Sequence, residues 1–193
     1  MKVNDKIKEK ARKVKMVLMD VDGTLTDGKL YILPSGEEIK AYDVKDGAAI
    51  IIAQLIGIKV GVITGKSSQN VLERAKRLRI EDVYIGAINK LPVLKKIMEK
   101  HNLSADEVCY IGDDVGDYSV MKRVGFSVAV NDSHYKVKEI AHYITEKKGG
   151  EGAVREVFDL IFESKGLYEK ILKIFENESS WNKEIIKNFK EKR

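Results

Sequence analysis

Two aspartates stand one residue apart at the end of an apolar run, MVLMDVDGTLTDG, residues 16–28. Asp20 and Asp22 are followed at once by Gly23 and Thr24. Neighbouring carboxylates repel unless a cation, a proton or a reacting group makes use of their charge. Thr64-Gly65-Lys66 follows a second apolar run, and Asn89-Lys90 opens an amphipathic stretch. Gly112-Asp113-Asp114 follows a third apolar run, with Asp117 close behind. Carboxylate oxygens suit a hard divalent cation. A hydroxyl, an ammonium and loop N–H groups suit phosphate oxygens. Each piece alone has an ordinary structural reading. Asp-x-Asp and Thr-Gly are common in turns, and Asp114 could simply cap a helix. Their order along the chain, each at the end of an apolar run or the start of a helix, carries the functional reading.

The elements that would position these residues alternate. Short β-rich runs at 14–19, 60–63, 83–85, 108–111, 127–130 and 142–144 read as strands. Helix-period stretches lie between and after them at 47–56, 67–78, 91–101, 115–124 and 152–162. This alternation predicts an α/β fold: a doubly wound, mostly parallel sheet with helices on both faces. In such a sheet, ligands bind beyond the carboxyl ends of the strands, which is where the aspartates stand. Pro92 falls in a first helical turn, where its missing N–H costs little. Ser104 and Glu107 precede a strand and read as a turn. Residues 29–42 break the alternation and read as a β-hairpin turning at Pro34-Ser35-Gly36. The chain reads as one domain over 1–162 with a helical extension over 163–193. In that extension Leu167, Ile171, Ile174 and Phe175 have helical spacing, as do Trp181, Ile185 and Phe189. Packing on the domain or self-association accounts for such faces better than a partner-binding helix.

Composition narrows the class. Hydrophobic residues make up 44% of 193, enough for a real core. The net charge of +5 is carried entirely by residues 1–15, which hold seven Lys/Arg and two Asp/Glu. A lysine-rich turn or short helix explains this better than a nucleic-acid-binding face. No run is long enough to span a bilayer. No signal peptide is recognisable, so a cytoplasmic protein is expected. Cys109, the sole cysteine, excludes an internal disulfide and reads as a buried small side chain. His101, His134 and His142 show no ligand spacing, and His134 is the one mild functional candidate.

The set DVDGT, ITGK, Lys90 and GDDVGD resembles the haloacid dehalogenase superfamily, in its phosphatase branch, nearly through Phe162. The resemblance implies Asp20 as nucleophile and Asp22 as general acid and then base. It implies Mg2+ held by Asp20, the backbone carbonyl of Asp22, and Asp113. Thr64 and Lys90 would hold the phosphoryl group, with Asp114 and Asp117 orienting water and Lys90. The second aspartate, Asp22, points to phosphatase or phosphomutase chemistry.

Residues 23–63 and 65–89 leave no room for a cap domain. That absence, with LTDGKLY, GEEIKAYDVKDG, GDDVGDYSVM and GGEGAVREV, is similar to the 3-deoxy-D-manno-octulosonate 8-phosphate phosphatase family of lipopolysaccharide biosynthesis. This closer resemblance implies a homotetramer associating through the 29–42 hairpin. It implies substrate contacts from Asp43, Val44, Lys45, Asp46 and Gly47, and from Gly65, Lys66 and Arg74. It also implies a closing tail containing Gly149, Gly150, Gly152 and Arg155. The chain departs from the family at Lys45 and Lys66, where arginine is typical. It departs too at Asp43, often neutral, and at Ile51, basic in some members. Lysine lacks the planar fork with which arginine grips a carboxylate. A nonulosonate 9-phosphate, another phosphorylated sugar or a macromolecular phosphoester therefore stays open as substrate.

Overall fold

The computed structural model describes residues 3–176. The lysine-rich lead-in forms helix α1 (Asp5–Lys13), capped by the Asn4 side chain, which accepts from Ile7 N at 3.0 Å. Ile7 and Ala11, one turn apart, are its buried stripe. Strand β1 (Met16–Met19) follows and is buried throughout. Next come β2 (Tyr31–Ile32), β3 (Glu38–Ile39), α2 (Val44–Leu55), β4 (Lys59–Ile63) and α3 (Gln69–Leu78). The chain continues through β5 (Asp82–Tyr84), α4 (Lys90–His101), β6 (Val108–Gly112), α5 (Tyr118–Met121) and β7 (Phe126–Ala129). It closes with α6 (Tyr135–Lys138), β8 (Tyr143–Ile144), α7 (Ala153–Ser164) and α8 (Tyr168–Glu176).

Six strands pair in parallel in the order β5-β4-β1-β6-β7-β8. The chain winds outward from β1 to β4 and β5, then returns past β1 to β6, β7 and β8. The strand order thus reverses at β1, and a crevice opens beyond the carboxyl ends of β1, β4 and β6. Side chains alternate across the sheet. Val17, Met19, Cys109 and Ile111 face a core shared with α1, α2, α3 and α7. Met16, Leu18, Val108 and Tyr110 face a second core under α4, α5 and α6. Burial on both faces is why β1 and β6 read as unbroken apolar runs.

The predicted strands lie within one or two residues of the observed ones. β1 starts at Met16 rather than 14 because Val14 still belongs to the end of α1, its N–H bonded to Ala11 O. The helix expected at 47–56 starts at Val44, because the Asp43 carboxylate accepts from Lys45 N and caps it. The helix expected at 115–124 is a correction: it is a 3-10 turn, Val115–Asp117, followed by the single turn of α5. The Asp117 carboxylate accepts from the N–H groups of Asp113 and Asp114, which draws this stretch into the tighter turn. The turn expected at Ser104–Glu107 is a 3-10 turn closed by a reciprocal capping box. Short α6 was not foreseen. Ile171 of α8 joins the first core, while Trp181, Ile185 and Phe189 lie outside the described residues. No described helix is long and apolar enough to cross a membrane.

The hairpin is real but short. Tyr31 pairs with Ile39 and Ile32 with Glu38, antiparallel, apart from the main sheet. It stands beside the crevice, with Leu30, Tyr31, Ile32, Leu33 and Ile39 exposed.

Candidate active site

Four of the motif residues converge at the crevice. Asp20 directly follows β1, its N–H bonded to Ile111 O at 3.0 Å. Asp113 directly follows β6. Lys90, the first residue of α4, reaches Asp20 Oδ1 at 2.8 Å and Asp117 Oδ1 at 2.7 Å. Lys90, Asp20 and Asp117 are all buried. Asp117 also accepts from Tyr110 OH at 2.6 Å, so it is held from strand, turn and helix at once. Oxygen atoms of Asp20, Asp113 and Asp117 all lie within 4.8 Å of one another.

This crowding governs the electrostatics. Burial, then the Asp117 charge, pushes Asp20 up to about 6 against the attraction of Lys90. Burial, then Asp20 and Asp117, pushes Asp113 up to about 8. Burial works against the Lys90 ammonium, but Asp117 and Asp20 together hold it above the ordinary lysine value. One ammonium therefore serves three carboxylates. A hard divalent cation fits this donor set, since all-oxygen ligation and the uncompensated negative charge both favour it.

The backbone around the centre is built for close approach. Gly23 has φ +93°, and a Cβ there would stand 2.1 Å from Asp113 Oδ2. Glycine is the residue that tolerates both the conformation and the contact. Thr24 Oγ1 donates to Asp113 Oδ1 at 3.0 Å, and His134 N donates to the Asp113 carbonyl at 2.7 Å. His134 thus supports the site through its backbone, while its ring caps α6 by accepting from Lys136 N.

Thr64 follows β4 and is buried, and its Oγ1 accepts from Lys66 N at 3.3 Å. Gly65 faces the Ala87–Ile88 loop. Lys66 turns to the hairpin, where its Nζ meets both Glu38 carboxylate oxygens at 2.7 and 2.8 Å. Arg74 lies 5.2 Å from the Tyr42 ring centroid and donates to the Asp43 carbonyl. Gly47 makes room for it, because a Cβ there would meet Arg74 Nη2 at 2.5 Å.

Other expected residues are held by bonds of their own. Asp43, Val44, Lys45, Asp46 and Gly47 are the N-cap and first turn of α2. Val44 and Lys45 are exposed, while Asp46 is buried and accepts from Arg155 N at 2.7 Å. Burial raises Asp46 to about 6. The Arg155 guanidinium turns to Asp159 at 2.7 Å. Gly149 and Gly150 lie on the loop after Asp22, with Gly150 N bonded to Thr24 O. Asp114 caps the 3-10 turn through Val115 N and makes no bond to Lys90.

Three residues escaped sequence reasoning. Tyr110 and Glu38 hold Asp117 and Lys66, and Lys40 pairs with Asp22. Tyr110 carried no separate signal within its apolar strand. Glu38 and Lys40 did: in EIKAY every second residue is polar or aromatic, the period of one strand face.

Comparison with known proteins places the chain in a family. The haloacid dehalogenase-like hydrolase family profile matches residues 80–158. The chain is 41% identical to 3-deoxy-D-manno-octulosonate 8-phosphate phosphatase KdsC of Salmonella typhi, over 85% of this chain and 87% of that protein. The phosphatase of that name from Yersinia pestis superposes with a TM-score of 0.85 at 40% identity, covering 86% of this chain and 90% of that one. The enzyme from Moraxella catarrhalis, solved with a magnesium ion, a phosphate ion and a KDO molecule, gives 0.87 at 35% identity. That match covers 90% of this chain and 99% of the other. With its carboxylates, lysine and threonine at the switch point of the sheet, the chain belongs to the haloacid dehalogenase-like hydrolases, in the 3-deoxy-D-manno-octulosonate 8-phosphate phosphatase family.

Proposed function

We propose that this chain is a Mg2+-dependent phosphatase that hydrolyses 3-deoxy-D-manno-octulosonate 8-phosphate to the free sugar acid and inorganic phosphate. The observation that carries this reading is the buried Asp20 carboxylate, held by Lys90, with carboxylate oxygens of Asp20, Asp113 and Asp117 all within 4.8 Å of one another. The donor set for Mg2+ is the Asp20 carboxylate, the Asp22 backbone carbonyl and Asp113, with Asp117 behind them. When bound, the cation supplies charge neutralisation to the nucleophile and the transferring phosphoryl group.

Asp20 attacks phosphorus, and the bond to the sugar oxygen breaks as an aspartyl-phosphate forms. Asp22, part-exposed at the mouth of the crevice, gives its proton to the leaving alkoxide. The same carboxylate then takes a proton from water as that water attacks phosphorus, which frees Asp20 and phosphate. Thr64 and Lys90 hold the phosphoryl oxygens. Asp117 fixes Lys90, and Asp114 sets the turn that presents Asp113 and Asp117.

Lys66 and Arg74, which face Glu38 and Tyr42, receive the sugar acid, with Gly65 and the α2 first turn from Asp43 to Gly47 alongside. Arg155 stands at the far end of that turn. A nonulosonate 9-phosphate or another phosphorylated sugar is the second reading. Its support is the Lys66–Glu38 ion pair, with which a substrate carboxylate must compete for one point charge. The exposed apolar residues of the hairpin support a homotetramer assembled through it. The cytoplasm is the proposed compartment.

The test is phosphate release with Mg2+ from octulosonate 8-phosphate, nonulosonate 9-phosphates, hexose phosphates and a phosphopeptide. The highest kcat/KM is expected on octulosonate 8-phosphate. Preference for another sugar would keep the chemistry and move the substrate. Release from the phosphopeptide alone would overturn the small-molecule reading.

A further inference from the structure

The inner face of the hairpin is charged and its outer face is apolar. Glu38, Lys40 and Tyr42 alternate with Ile39 and Ala41, so successive side chains point to opposite sides. Glu38 meets Lys66, and its carbonyl accepts from Asn70 Nδ2. Tyr42 lies against Arg74. Between them, the Lys40 side chain is only 1% exposed and its ammonium pairs with Asp22 Oδ1, whose side chain is 30% exposed.

Lysine is almost never this buried without a partner, and desolvating it is costly even with one. The hairpin does not need that ion pair for anchorage, because Glu38 already fastens it to Lys66 and Asn70. An apolar side chain at position 40 would fill the same space more cheaply. The charge is accounted for by what it holds. We infer that Lys40 is a positioning residue for Asp22: the hairpin delivers a buried ammonium that keeps this carboxylate turned to the mouth of the crevice. Without it, Asp22 swings toward solvent and the proton is no longer delivered to the leaving oxygen. The hairpin is then a working part of the site as well as a surface for assembly. This inference rests on Asp22 being the proton donor.

The experiment compares two leaving groups in full-length wild type, Lys40→Met and Lys40→Arg. A sugar alkoxide needs a proton to leave, whereas p-nitrophenolate does not. On the sugar phosphate, Lys40→Met is expected to lower kcat about 10²-fold with KM nearly unchanged. With p-nitrophenyl phosphate, its first-turnover burst of nitrophenolate is expected to stay within about threefold of wild type, while later turnovers slow. Lys40→Arg recovers part of the loss. If Lys40→Met does not fold, Lys40→Gln, which keeps length and a donor, is read the same way. Equal losses on both leaving groups, or on neither, would overturn the role of Lys40 and leave the phosphatase reading standing. A wild type inactive on both substrates would remove that reading and this inference with it.

Discussion

Asp82, buried at the start of one parallel strand, and Asp113, half-buried just past the end of another, are aspartates of one sheet with opposite surroundings. Asp82 begins β5, at the amino end of the strands. It accepts from Lys100 Nζ at 2.7 Å and lies 2.7 Å from His101 Nε2. Burial works against its charge, but these two partners hold it below the usual carboxylate range. Asp113 follows β6, at the carboxyl end. Its neighbours are Thr24, Asp20 and Asp117, and it is pushed up to about 8. The Asp82 end of the sheet is balanced within the chain. The Asp113 end is short of positive charge, and that deficit is what supports the proposal that a cation and a phosphoryl group are handled there.

The largest effect that sharpens this comparison is chemical. Asp20→Asn is expected to lower turnover by at least about 10³-fold, because no other carboxylate occupies its place at the end of β1. Steady-state phosphate release checks it, and residual activity near wild type would transfer the nucleophile's role elsewhere.

Next comes the response to pH and metal. Asp20 and Asp113 have folded pKa values raised above the unfolded one, so the folded chain binds more protons than the unfolded chain over that range. Their favourable contribution is present at low pH and is lost as pH rises through about 6 for Asp20 and about 8 for Asp113. Considered alone, these groups make the metal-free protein melt higher at pH 6 than at pH 8.5. Mg2+ should then raise Tm more at pH 8.5 than at pH 6. In Asp113→Asn, the metal-free Tm is expected to rise by roughly 5 °C and the Mg2+ response to vanish. Calorimetry with and without Mg2+ measures both, and a larger Mg2+ gain at the lower pH would break the comparison.

Asp82→Asn is the converse. It should cost about 1–2 kcal/mol of stability, since it leaves Lys100 half-exposed and able to find water, and it should leave kcat unchanged. Asp82 has a depressed folded pKa, so its contribution stands above the unfolded value and fades as pH falls below it. Denaturant unfolding alongside the phosphatase assay separates the two results, and a fall in kcat would link the two ends. The smallest effect on the single chain is at the hairpin's outer face. Tyr31→Ser should alter stability by no more than about 0.5 kcal/mol while shifting the oligomer distribution seen by light scattering. An unchanged distribution would remove Tyr31 from any assembly contact.

Much of this was legible in the sequence because it rests on local chemistry. Apolar runs bounded by Gly, Asp and Thr mark both the strands and the strand ends. That is why the sequence alone assigns Asp20, Thr64, Lys90 and Asp113 to one crevice. Pairings across the chain were not legible. Whether Asp117 or Asp114 would meet Lys90 depends on the tightness of the 3-10 turn. That Lys66 would face Glu38 depends on how the hairpin folds back, which no local pattern sets. Arg155 shows the same limit, since its helix position leaves it a choice between the α2 turn and Asp159, and it takes Asp159.

The most direct measurement is phosphate release from 3-deoxy-D-manno-octulosonate 8-phosphate by the wild type and Asp20→Asn, each with Mg2+ and with chelator. Release by the wild type that requires Mg2+ and disappears in Asp20→Asn is the expected result. Release that survives the chelator, or that persists in Asp20→Asn, would contradict a metal-assisted attack by Asp20.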